Sequence, residues 1–212
     1  MDALDHLAGT ATLLLERVDS ALATSGAPGG HPIWPLMRRL GALPGAATST
    51  IAGLRPAPLA AAGPSLRGLI QVYEERGETI ADSGSWEGAS AEVFGAHRAA
   101  LSAHLGQMAG KLGATDGYSA AVAEWIEESR AGLARELAAV LGSREAVTVT
   151  VEPYGVPGAV AAAEIGARVL GAVDTAYERA EALLHRWEVD LLELPYQPPD
   201  TGPAAFGSTT RA

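Results

Sequence analysis

Between Pro157 and Leu194 apolar residues return every seven positions. Ala163, Leu170, Tyr177, Leu184 and Leu191 form one row, and Val173, Ala180, Trp187 and Leu194 form a second, three residues behind. A seven-residue repeat draws a narrow stripe along a helix of 3.6 residues per turn, and such a stripe is buried only against another helix. Looser stripes of the same kind precede it. Leu4, Leu7, Ala11, Leu14, Leu15, Val18 and Leu22 line one face. Leu59, Leu66, Leu69, Ile70, Tyr73 and Ile80 line a second, and Val93, Phe94, His97, Leu101, Leu105, Met108 and Leu112 a third. Tyr118, Val122, Trp125, Ile126, Leu133, Leu137, Val140 and Leu141 make a fourth, with Thr115 or Asp116 as its expected cap.

The breaks fall where glycine and proline collect. Ser25 to Gly30 ends the first helix, Pro32, Pro35, Pro44 and Pro56 cut the next stretch into short pieces, and Gly113 separates the third stripe from the fourth. Trp34, Leu36 and Leu40 are the expected pins for the short pieces. About a fifth of the residues are alanine, against 4 Trp, 5 Tyr and 2 Phe, a composition that suits close-packed helices better than strands. Only Val147-Thr148-Val149-Thr150-Val151 has an extended propensity. With no second strand to pair with, it reads as a connector or an overrun of the preceding helix. The expected fold is all-α: an elongated antiparallel helical bundle. Residues 1–58 supply an N-terminal helix and a proline-rich connecting segment, 59–113 a helical hairpin, and 114–194 two further long helices of the same bundle. Residues 195–212 form a Pro/Gly/Ser/Thr-rich tail expected to be disordered.

Charge and chemistry narrow the function classes. With a hydrophobic fraction of 48% the chain can bury a core, and its net charge of −10 makes nucleic acid a poor partner. The absence of cysteine removes disulfides, thiolate nucleophiles and Cys-type zinc sites. The opening Met1-Asp2-Ala3-Leu4-Asp5-His6 has no signal-peptide pattern, and no apolar run of about 18 residues is free of charge, so no membrane span is expected. Gly106 to Leu112 is one residue short of a phosphate-binding loop and has leucine where a metal-binding hydroxyl is needed. His97 and His104 stand about 10 Å apart along a helix, too far for one ion. Glu74-Glu75 and Glu127-Glu128 are adjacent pairs that point to different sides. No catalytic residue, metal site or cofactor site is expected.

Trp86-Glu87-Gly88 lies between two stripes of matched length. This arrangement resembles the Trp-x-Gly turn of the helical-hairpin substrates of type VII (ESX-type) secretion, and Ala91 and Phe94 follow the turn as small and aromatic residues do in that family. The resemblance covers about Leu59 to Gly113. It implies a non-enzymatic protein, secreted through a type VII system, that pairs helix to helix with itself or with a related Trp-x-Gly protein and meets a secretion ATPase or chaperone. The family's Tyr-x-x-x-Asp/Glu export element is matched twice, by Tyr177 with Glu181 and by Tyr196 with Asp200. Tyr177 also occupies a seam position, where core packing is the competing role. Apart from the resemblance, a cytosolic helical adaptor or antitoxin-like partner protein fits the same composition. The seam of Leu170, Tyr177, Leu184, Trp187 and Leu191 is longer than the preceding helix can cover, so an apolar strip is expected to remain for a partner.

Overall fold

The N-terminal helix is set by its first carboxylates. Asp2 accepts from the amide of Asp5 at 3.0 Å while the Asp5 side chain accepts from the amide of Asp2 at 3.3 Å, a reciprocal cap for α1 (Ala3–Ser25). The computed structural model describes residues 1–82 and 87–192. Beyond α1 these form α2 (Ile33–Leu40), α3 (Pro44–Gly53), α4 (Ala57–Ala81), α5 (Ala89–Leu141), α6 (Arg144–Val151) and α7 (Gly155–Trp187), and no strand occurs among them. The all-helical expectation holds.

The chain divides into two compact units. The first contains Met1–Ala60 and Ala120–Arg186. Its core gathers Leu4, Leu15 and Val18 of α1, Ile33 and Ile51 of α2 and α3, Leu133, Leu137 and Val140 of α5, Val149 of α6, and Ile165, Val169, Leu170 and Val173 of α7. Pro44 occupies the first turn of α3, where its missing N–H leaves nothing unpaired. The short pieces are held by Ile33, fully buried, rather than by Trp34. The indole of Trp34 turns outward and donates to the carbonyl of Pro28 at 3.0 Å.

Two expected boundaries move. Gly113 does not break a helix: α5 runs unbroken for 53 residues. Thr115, expected to cap a new helix, instead donates its hydroxyl to the carbonyl of Lys111 one turn back, at 2.9 Å. A mid-helix glycine costs about 1 kcal/mol, which does not outweigh the packing on either side. The Val147–Val151 segment is neither extended nor an overrun but a short helix of its own. Ser143 caps it by accepting from the amide of Ala146 at 3.2 Å, and Val149, 0% exposed, anchors it in the core. Tertiary burial here overrides β-propensity.

In α7 the buried residues run from Gly158 to Ala176 and include Ala162, Ala163, Ile165, Val169, Leu170 and Val173. One 18-residue window of this helix reaches a mean hydropathy of 1.4, enough by length and composition to cross a membrane, and 56% of that window is buried. That burial is the pattern of a core helix. Glu164, Arg168 and Asp174 interrupt the apolar run of α7, so no stretch of that length in it is free of charge.

The second unit contains Ala61–Ser119 and the segment from Trp187 onward. Gly63, Leu66, Ile70, Tyr73, Gly77 and Ile80 of α4 are withdrawn from solvent at alternating three- and four-residue steps, as are Ser102, Leu105, Ala109, Leu112 and Asp116 of α5. Three polar clips fix the pair as antiparallel. Arg67 meets Asp116 at 3.1 Å, and the Ser102 hydroxyl donates to the carbonyl of Gly77 at 2.8 Å. Arg98 donates to the carbonyls of Ile80, at 2.7 Å, and Asp82, closing the C-terminal end of α4.

Candidate helix-pairing surface

Within the second unit, α4 and α5 bury little apolar surface. Ala109 is the one buried apolar side chain of this unit among the described residues. Leu69 and Val72 of α4, and Val93, Phe94 and Leu101 of α5, are exposed; Phe94 is 52% and Val72 49% accessible. Leu69 and Val72 are three residues apart and Phe94 and Leu101 seven, so each pair shares a helix face. Arg98 lies 5.7 Å from the centre of the Phe94 ring, so a cation borders the α5 face. Two helices make one layer, and a stable helical fold needs at least a second layer against it.

Gly88 directly precedes α5 with φ +108°, a backbone conformation that side chains disfavour. Its carbonyl accepts from the amides of Ala91 and Glu92 at 2.9 and 3.1 Å and so opens the helix. Trp86 lies outside the described residues, as do Tyr196 and Asp200.

The seam residues separate into two groups. Leu170 is buried, with Val173 beside it. Tyr177, Leu184 and Leu191 are exposed, Leu184 by 57%. Tyr177, 38% accessible, lies outside the buried core. Ala163 and Leu170 of the row are fully buried, and the row leaves the core beyond them. The core instead follows the mixed three- and four-residue steps from Ala162 to Ala176. Trp187 is half-buried, edge-on to Tyr118 with ring centres 6.1 Å apart, and packs on Gly117. Glu181 is exposed, and its charge reaches the guanidinium of Arg39. Arg39 is bound directly by Asp174 and Glu178, each at 3.0 Å. Hydrogen bonding to Glu178, then the charge of Asp174, raises the Arg39 pKa.

One polar centre escapes sequence reasoning. Arg130 of α5, its side chain 3% exposed, donates to both carboxylate oxygens of Asp2 (2.6 and 3.0 Å), to Asp5 (2.7 Å) and to the carbonyls of Ala52 and Leu54 (2.6 and 3.1 Å). All five guanidinium hydrogens are thereby engaged. Hydrogen bonds from Arg130 are the main reason that the carboxyls of Asp2 and Asp5 sit below the usual range. The arrangement joins the first helix, the end of α3 and α5, with nothing left over for a substrate. Asp2-x-x-Asp5 is a legible cap in the sequence, but its partner 128 positions away is not.

Among the described residues no three His, Asp or Glu side chains gather at metal-binding range. No family model, curated protein or solved structure matches the chain.

Proposed function

We propose that this chain is a non-enzymatic helical protein of the type VII secretion-substrate kind, and that it acts by helix–helix pairing. The outward face of the α4–α5 pair seats a helical hairpin of a second copy or of a related Trp-x-Gly protein. The observation that carries this reading is that the second unit has, among its described residues, one buried apolar side chain, Ala109, set against five large apolar side chains of α4 and α5 left in solvent. Exposed apolar residues clustered on one element mark an interaction surface more often than they mark decoration. In the same reading, Trp86 and Gly88 form the Trp-x-Gly turn. Tyr177 and Glu181, accessible and one turn apart on α7, are the export element offered to a secretion ATPase or chaperone. Tyr196 and Asp200 are its second copy in the tail.

Export and fold separate experimentally. Glu181→Ala is expected to leave the melting temperature unchanged and to reduce secretion from a host carrying a type VII system. Secretion at the wild-type level from this variant and from one lacking residues 195–212 would remove the export assignment.

A further inference from the structure

Three of the chain's tryptophans lie among the described residues, and their indole N–H groups are treated differently. Trp34 donates to the carbonyl of Pro28 at 3.0 Å, and Trp125 to the carbonyl of Ala176 at 2.8 Å. The indole nitrogen of Trp187 is occluded from solvent with no hydrogen-bond partner. Its six-membered ring is nevertheless closely fitted. A Cβ placed on Gly117 would lie 2.7 Å from Cη2 of Trp187, a separation that real side chains do not adopt, so this notch exists only because residue 117 is glycine. Nearly two turns back along α5, Lys111 donates to the carbonyl of Asp190 at 2.7 Å. The turn that follows α7 is closed by the amide of Leu191 on the carbonyl of Trp187 at 3.1 Å.

These contacts oppose one another. The notch and the edge-on Tyr118 favour docking of the indole. The unpaired N–H favours release, because only water or a new acceptor can satisfy it. Val189, Leu191 and Leu192, which continue from Trp187, are exposed and add little to hold the segment down.

We infer that Trp187, the Gly117 notch and the Lys111–Asp190 contact form a reversible clasp that opens without unfolding the helices it fastens. Closed, it withholds Trp187. Open, it adds Trp187, an aromatic anchor of the kind that dominates protein interfaces, to the already exposed Val189, Leu191 and Leu192, and it uncovers Gly117 and Tyr118 on α5. The device stands apart from pairing through the α4–α5 face, and it operates whether or not that pairing occurs.

Native-state hydrogen exchange of the full chain tests it. In the wild type the amides of Leu191 and Leu192 are expected to exchange at least tenfold faster than those of Val169 and Val173, through an opening independent of global unfolding. Gly117→Ala fills the notch while improving the helix propensity of α5. It is expected to accelerate Leu191 and Leu192 a further tenfold and leave Val169 and Val173 unchanged. In a Trp187→Ala background the same Gly117→Ala change is expected to have no effect on these amides. Exchange of Leu191 and Leu192 as slow as that of Val169 would overturn the clasp. So would no response to Gly117→Ala, or an equal response with and without Trp187.

Discussion

Arg130 has every guanidinium hydrogen committed: three contacts reach Asp2 and Asp5 at the start of α1, 128 and 125 positions away, and two reach Ala52 and Leu54 at the end of α3, 78 and 76 positions away. Removing it leaves two carboxylates and two backbone carbonyls facing a hole. Asp2 and Asp5 are partly exposed and can be rehydrated, so the main cost is the backbone carbonyls left unpaired, about 1–3 kcal/mol. Arg130→Ala is expected to lower the urea midpoint, with Arg130→Lys intermediate because an ammonium cannot form the bidentate contact. The pH dependence follows from the same contacts. Asp2 and Asp5 have folded pKa values below their unfolded ones, which for Asp lie near ~3.9. Their contribution is therefore complete above about pH 5 and is lost as pH falls through the folded values. Acid titration of stability is expected to fall less steeply below about pH 4 in Arg130→Ala than in the wild type. At this scale the sequence reveals caps and stripes, because they depend on near neighbours. It conceals Arg130, which reads there as one more surface cation beside Glu127 and Glu128.

At the scale of elements, periodicity locates the helices better than it locates their ends. Gly113 looks like a stop because glycine commonly follows a helix, but α5 carries on through it. An added Cβ there meets nothing within 4 Å. Gly113→Ala is expected to stabilise the protein by up to about 1 kcal/mol, read as a higher melting temperature; destabilisation would mean that α5 is broken there. The short helix α6 is the opposite case, a segment whose local preference is overruled. Val149→Ala is expected to lose about 2 kcal/mol, whereas Val147→Ala, at an exposed site of the same helix, stays within about 0.5 kcal/mol. A difference of that size between two valines two residues apart distinguishes a helix docked by one face from an extended connector. Along α7 the seven-residue row is fully buried at Ala163 and Leu170 and exposed at Tyr177 and Leu184, so the row marks the core over its first part only.

For the whole molecule, the all-helical class was legible from stripes, alanine content and the absence of alternating strands. The outward face of the α4–α5 pair was not, because Leu69, Val93, Phe94 and Leu101 look like ordinary core positions until their exposure is seen. An apolar stripe states that a face is buried against something, and it does not distinguish the chain's own helices from those of another molecule. The chain contains no cysteine, so a single introduced thiol reports one position without background. The most direct measurement is thiol-specific cross-linking of Leu101→Cys, on the outward face of α5, beside Ala138→Cys, an exposed control in the other unit. Both are examined with the protein alone and co-expressed with a Trp-x-Gly partner. Helix pairing through the α4–α5 face predicts a cross-linked pair from Leu101→Cys, with little from Ala138→Cys. Equal yields at the two positions, or monomer from Leu101→Cys both alone and with the partner, would contradict it.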